Sequence, residues 1–449
     1  MNGGNDMSDY DQLILGGGPG GLALAYELKA AGKKVAVVEE NLWGGTCPNR
    51  GCDPKKILVA AVEAKRHAEY MQGEGIDGTT SINWPDLMRN KFAYTDAIPS
   101  GTLSGLQQAH IETLTGHARF NADGSVNVDD QTVTAEQMII ATGQRPARLN
   151  IDGGELIQTS TDFLNMRELP KRLTFIGGGY IAFELADIAN AAGAEVHMLL
   201  HNDRPLKAFD QELVSDLVNQ LWADGVKFEL NVDVTHVAKT DEGLVISNDD
   251  GFTLTTNAVI GATGRIANVD TLNLAAVGVQ ADAKGVVVND HLQTTNPRIY
   301  ALGDVVAKPG VPKLTPVAGF DARYLAGQLT GTTTAPIAYP AIPTVIFGVP
   351  RLATVGISTA AATDDAKLRI KTIDMTHWYT YNRIHDPKAK VKVVLNQAGE
   401  LVGASVLSSV ADEMINYLTF LINRHATAQA LNDMVLAYPT PASDLGYVF

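Results

Sequence analysis

The chain has almost no cysteine: two thiols in 449 residues, at positions 47 and 52. So small a supply excludes a framework of structural disulfides and argues for a reducing compartment. Positive charge is also in deficit. Thirty-five Lys and Arg against 50 Asp and Glu leave a formal net charge of −15, which repels nucleic-acid phosphate and anionic membrane surfaces. No apolar run is long enough to span a bilayer. Met1 to Met7 lack a charged-then-apolar leader and read as a loose end. The expectation is a cytoplasmic protein with neither nucleic acid nor membrane as partner. Hydrophobic residues at 45% suffice for large cores, and the length suggests about three domains at roughly 150 residues each.

What cysteine there is sits in one segment, Gly44-Gly45-Thr46-Cys47-Pro48-Asn49-Arg50-Gly51-Cys52-Asp53-Pro54-Lys55-Lys56. An undistorted helix separates residues i and i+5 by a rise of roughly 7.5 Å and points them to different sides, whereas a disulfide needs Cα atoms about 4.4–6.8 Å apart. Pairing therefore requires a distorted turn, which Pro48 and Gly51 permit. A half zinc site and two unrelated core thiols are the alternatives. No further cluster of Cys or His at ligand spacing follows, so no metal site is expected and a redox dithiol is favoured.

Upstream, the short apolar strand Leu13-Ile14-Leu15 runs into Gly16-Gly17-Gly18-Pro19-Gly20-Gly21 and then a segment of helical period. Gly16, Gly18 and Gly21 give G-x-G-x-x-G in the strand–turn–helix context that lets backbone approach a pyrophosphate. A second strand, 34–38, ends in Glu39, placed to take the ribose hydroxyls of a dinucleotide. The arrangement recurs: strand 173–176 leads to Gly177, Gly179 and Ala182 as G-x-G-x-x-A, followed by a strand from Glu195 to Leu200. Two dinucleotide sites and one dithiol suggest electrons moving from one nucleotide through another to sulfur.

On these motifs the chain resembles the flavin-dependent pyridine nucleotide–disulfide oxidoreductases, the family of glutathione reductase, dihydrolipoamide dehydrogenase and mercuric reductase. The likeness runs from about Tyr10 to Leu445 and includes Ala141-Thr142-Gly143, Ala262-Thr263-Gly264-Arg265, 299–304, 314–318 and 342–347. It implies an α/β fold: two Rossmann-like dinucleotide-binding domains, for FAD and NAD(P), plus a C-terminal α+β dimerisation domain. The FAD domain would comprise 8–147 and 266–331, the NAD(P) domain 148–265, and the dimerisation domain 337–449, after a Thr-rich linker. By resemblance, Thr46, Gly143, Asp304, Thr315 and Ala318 would hold FAD and Gly264 would close the second nucleotide site. Cys52 would be the flavin-side thiolate, Cys47 the thiol that attacks substrate, Lys55 and Glu184 an ion pair beside the flavin, and Tyr180 a gate over the nicotinamide.

At the end of the second nucleotide strand, His201 and Lys207 stand where NADPH-using relatives carry arginines, with Arg204 between them. NADPH is favoured over NADH, although Asp203 works against it. The family's C-terminal His and Glu, an acid–base pair supplied by the partner subunit, are missing. Tyr438 and Ser443 occupy those positions, with Asp444 one place late. Mercuric reductase also has a tyrosine in this region, but adds a C-terminal pair of adjacent cysteines that this sequence does not show. Asp53 also departs from the apolar residue usual after the second cysteine. The expectation is a homodimeric enzyme passing electrons from NAD(P)H through FAD and Cys47/Cys52 to a small-molecule acceptor, a disulfide other than glutathione's. A metal-ion or quinone/electrophile reductase is the alternative within the class, and a flavoprotein redox sensor the alternative outside it.

Overall fold

The computed structural model describes residues 8–449, so the reading of Met1 to Met7 lies outside the described residues. The chain divides into two compact units. Among the described residues, one comprises 8–54, Lys91–Ala147 and Arg265–Ala338; the other comprises Lys55–Asn90, Arg148–Gly264 and Tyr339–Phe449.

In the first unit, five parallel strands lie in the order Ile299–Ala301, Ala135–Ile140, Tyr10–Leu15, Val35–Glu39 and Glu112–Thr115. Both faces are apolar because both are covered, as a parallel sheet requires. Leu13, Leu15, Ala36 and Val38 pack on one face with Phe120 and Val126 of a small antiparallel sheet. Ile14, Val35 and Val37 point the other way, onto Leu24 and Leu28 of the helix Pro19–Ala30 and Leu325 of the helix Thr315–Leu329. This period of two puts the phosphate-loop glycines at the carboxyl end of the central strand.

The second unit holds a four-stranded parallel sheet, ordered Lys227–Leu230, Glu195–Leu200, Arg172–Ile176 and Ala258–Gly261. It also holds a five-stranded antiparallel sheet, ordered Thr344–Ile346, Arg351–Gly356, Leu401–Ser408, Lys390–Leu395 and Arg369–Asp374. The helix Ala411–Asn423 lays Met414, Ile415 and Leu418 on the latter, burying them with Val391, Val393 and Val406. The architecture is α/β, two parallel nucleotide-type sheets with an antiparallel C-terminal portion. No helix among the described residues is long and apolar enough to cross a membrane.

Candidate active site

The cysteine segment is two helices rather than one. Thr46–Arg50 ends at Gly51, and Cys52–Tyr70 begins immediately after it. A Cβ on Gly51 would lie 2.9 Å from the Thr46 carbonyl oxygen and 3.1 Å from the Cys47 Cα, so only glycine lets the second helix start this close to the first. The break brings the sulfurs together: the Cys47 and Cys52 side chains are hydrogen-bonded, and both cysteines are free thiols. The Cys47 thiol is pushed well above its ordinary range, first by the bond to Cys52, then by burial; the Thr315 hydroxyl works the other way. Thr315 also lies 3.8 Å from Cys52 Sγ. It opens its helix with Pro316 in the first turn, which fixes the hydroxyl against the sulfurs. Cys52 itself heads a 19-residue helix, where the N-terminal dipole favours a thiolate.

The glycines of the first nucleotide motif have separable duties. Gly16 adopts φ +123°, and a Cβ there would strike the Ala141 carbonyl oxygen at 2.3 Å. Gly21 would strike the Gly16 carbonyl oxygen at 2.1 Å, so it serves helix–strand packing. Gly18 differs: its nearest neighbour would be Gly45 Cα at 3.7 Å, and Gly45 in turn would meet Gly18 Cα at 2.5 Å. The phosphate loop and the cysteine segment thus touch backbone to backbone, with open space in front of Gly18. Glu39 accepts the backbone N–H groups of Gly17 and Asn41, each at 2.8 Å, and burial raises its carboxyl above the usual range. Gly143, at φ +66°, meets nothing within 4 Å. Asp304 is raised chiefly by burial, against Arg265 and Lys313, and lines one pocket with Lys308, Lys313, Ala318 and Asp321. These residues fit a dinucleotide: a Cβ at Gly143 would meet nothing within 4 Å and one at Gly18 only the Gly45 Cα, and the buried Glu39 ends the strand beside the one that leads into the glycines.

The second unit repeats the pattern. Gly177, at φ +130°, would strike the Ala262 carbonyl oxygen, while Gly179 and Gly264 meet nothing within 4 Å. Ala182 is fully buried and Tyr180 begins the helix Tyr180–Ala191, 41% exposed. His201 pairs with Asp233, an acid three residues past the end of the neighbouring parallel strand Lys227–Leu230. Arg204 and Lys207 are exposed, and Lys207 has no pairing of this kind among the described residues. Lys55 Nζ lies 2.6 Å from Glu184 Oε1. Glu184 is buried and also accepts the Phe347 N–H at 2.9 Å; burial raises its carboxyl against the pull of Lys55. Tyr438 is 71% exposed and stacks on Tyr379, ring centroids 6.1 Å apart. Ser443 bonds back to Thr440, and Asp444 is buried against Thr380, so neither side chain is placed against the Tyr438 hydroxyl.

Two neighbours of the site were invisible in the sequence. Tyr94, from the helix Trp84–Thr95, donates its hydroxyl to Asp53 Oδ2 at 2.9 Å. Asp233 meets His201 across 32 positions of chain. Neither carries a local motif; each arises from which elements the fold sets side by side. Among the described residues, no group of three or more His, Cys, Asp or Glu is placed to hold a metal ion.

The profile of the family described as pyridine nucleotide-disulphide oxidoreductase matches residues 10–322, and that of the same family's dimerisation domain matches 342–446. The chain belongs to this family. It is an FAD-dependent oxidoreductase. Glutathione reductase from Burkholderia cepacia is 33% identical over 440 residues, 97% of this chain and 97% of that one. Mercuric reductase from Staphylococcus aureus is 31% identical over 453 residues, 98% of this chain and 82% of that one. Among solved structures, the Cu(II) complex of the HOCl-induced flavoprotein disulfide reductase RclA from Escherichia coli superposes with a TM-score of 0.89 at 25% identity, covering 98% of this chain and 99% of that one.

Proposed function

We propose that the enzyme takes two electrons from NADPH, in preference to NADH, and delivers them through the Cys47/Cys52 pair to a disulfide other than oxidised glutathione. One observation carries the reading: two thiols, the only ones in the chain, are held in mutual hydrogen-bonding contact by a glycine break and capped by Thr315. FAD, when bound, supplies the two-electron link between reduced pyridine nucleotide and this pair. Gly16, Gly18, Gly21, Glu39, Thr46, Gly143, Asp304, Thr315 and Ala318 would hold it. Gly177, Gly179, Tyr180, Ala182, His201, Arg204, Lys207 and Gly264 would hold the nicotinamide nucleotide. Cys52 keeps the thiolate at its helix start, and Cys47, half-buried, reaches substrate. The Lys55 ammonium, neutralised by Glu184, lies one helical turn beyond Cys52.

On this reading the functional domains are 8–147 with 266–331 for FAD, 148–265 for the nicotinamide nucleotide and 337–449 for dimerisation, and the working unit is a cytoplasmic homodimer. Glutathione disulfide is disfavoured because Tyr438 stands in place of a histidine base. A phenol can donate a proton but is a poor base near neutrality. The test is an anaerobic titration with NADPH and with NADH, followed by a screen of disulfides, metal ions including copper(II), and quinones. NADPH should reduce the enzyme, giving a long-wavelength absorbance that Cys52→Ser loses, and a disulfide should reoxidise it. Reoxidation by a metal ion or quinone alone, with every disulfide inert, would replace the acceptor assignment. A reduced enzyme that no acceptor reoxidises would point to a sensor.

A further inference from the structure

We propose that Asp53, held by Tyr94, determines acceptor specificity at Cys47, favouring disulfides with positive charge beside the sulfur and disfavouring anionic ones. The inference rests on the disulfide-acceptor reading and names its substrate class. Asp53 directly follows Cys52 in the first turn of the helix, and Cys52 is hydrogen-bonded to Cys47. The Tyr94 hydroxyl, 2.9 Å from Asp53 Oδ2, fixes the carboxylate; the tyrosine is 44% exposed and Asp53 and Cys47 are each partly exposed. The acid is therefore held partly open to solvent, one residue from the dithiol. Its field reaches the sulfur. Asp53 contributes, after Cys52 and burial, to holding the Cys47 thiol high, and Cys47 in turn contributes to raising the Tyr94 phenol, where the Asp53 bond leads.

The basic residues that follow on the helix have partners of their own. Lys55 is bound to Glu184, and Lys56 lies over the Phe347 ring, 4.4 Å from its centroid. On the preceding short helix, Arg50 is half-buried and exerts the least of the influences on the Glu39 carboxyl. An acceptor approaching Cys47 thus meets a carboxylate. Oxidised glutathione, an anion, is repelled, and an acceptor with ammonium groups near the disulfide is drawn in. The chemistry balances without another reagent. Cys47 as thiolate bonds to one substrate sulfur; the substrate S–S bond breaks and its electron pair leaves on the other sulfur, which takes a proton. Cys52 then attacks Cys47, the Cys47–Cys52 disulfide forms, and the second substrate half leaves as thiolate and is protonated. The two electrons and two protons are those of the dithiol, which the family's activity replenishes.

The test compares three small disulfides of similar size: cystamine, 2-hydroxyethyl disulfide and 3,3′-dithiodipropionate, which are cationic, neutral and anionic. At low salt, kcat/KM should fall in that order, by about fivefold per step for a charge a few ångströms away at a partly exposed site, and added salt should compress the series. Asp53→Asn should collapse the order, Asp53→Glu should keep it, and Tyr94→Phe should weaken it. In parallel, Cys47 is labelled in a Cys52→Ser background, where it is the one remaining thiol. Methanethiosulfonate ethylammonium should outpace methanethiosulfonate ethylsulfonate, and Asp53→Asn should reduce that ratio about fivefold or more. Were the acid only a stabiliser of the helix start, Asp53→Asn would lower stability and leave both ratios unmoved; equal ratios in the parent and Asp53→Asn proteins overturn the proposal. If none of the three disulfides turns over, the disulfide-acceptor reading fails, and the labelling ratio still decides whether Asp53 sets the charge preference at Cys47.

Discussion

Asp187 shows how much electrostatic strain one residue of this protein holds. One turn beyond Glu184 on the same helix, it is fully buried, accepts the Val349 N–H at 3.1 Å, and faces Arg66, whose guanidinium also meets Asp224. Burial pushes its carboxyl up to about 6 despite Arg66. The folded state therefore holds this proton more tightly than the unfolded chain does. Its contribution is full below about pH 4 and is lost as pH rises through about 6, a cost of about 3 kcal/mol at neutrality. Asp187→Asn should remove that dependence. Thermal midpoints of the parent protein should fall relative to the variant between pH 4.5 and 7.5; parallel profiles would show that the carboxyl titrates alike in both states. His201 offers a second test at this scale. Its pairing with Asp233 sets an acid beside the group expected to receive the 2′-phosphate. Asp233→Asn should raise the kcat/KM ratio of NADPH over NADH several-fold, since a carboxylate repels phosphate and accepts ribose hydroxyls. An unchanged ratio would remove His201 from the nucleotide site.

The decisive local element is the interrupted helix. Gly51→Ala places a methyl 2.9 Å from the Thr46 carbonyl oxygen and 3.1 Å from Cys47 Cα, so the two helices must separate. Disulfide geometry tolerates little of this. The variant should fold but should form the Cys47–Cys52 bond less readily, measured as a higher reduction potential against a dithiothreitol buffer; a parental potential would mean that the helices part without moving the sulfurs. The strand–turn–helix units were legible in the sequence because each is written locally. The strand from Glu195 to Leu200 has its expected bounds. The helix break was legible only as a requirement, through Pro48 and Gly51. Tyr94 and Asp233 were not legible at all, because the fold alone brings them to Asp53 and His201. Nor does sequence spacing say that Asp444 turns inward, against Thr380, where it is raised by burial.

For the molecule as a whole, the C-terminal portion leaves its apolar character unspent. The helix Ala411–Asn423 buries Met414, Ile415 and Leu418 on one side, yet leaves Phe420 67% exposed on another. Val435 is fully exposed, and Tyr438 and Tyr447 are each about 70% exposed. With a net charge of −15, two copies repel at long range, so association needs a contiguous apolar contact of standard size, about 1,600 Å² in total. A two-fold dimer satisfies this, and sedimentation should give about 96 kDa, twice the 47.8 kDa chain. Phe420→Asp with Val435→Asp should shift the protein toward a single chain. If Tyr438 completes the partner's active site, dissociation should abolish turnover of the acceptor while reduction by NADPH remains fast, and activity per chain should fall on dilution. Tyr438→Phe, which keeps the ring stacked on Tyr379 but removes the hydroxyl, separates assembly from chemistry. It should leave the dimer intact and slow the oxidative half-reaction by 10²-fold or more if the phenol donates the proton, the lower end of what acid–base assistance contributes. A dimer whose oxidative rate is unmoved by Tyr438→Phe would reduce Tyr438 to a packing residue and leave the proton to the dithiol.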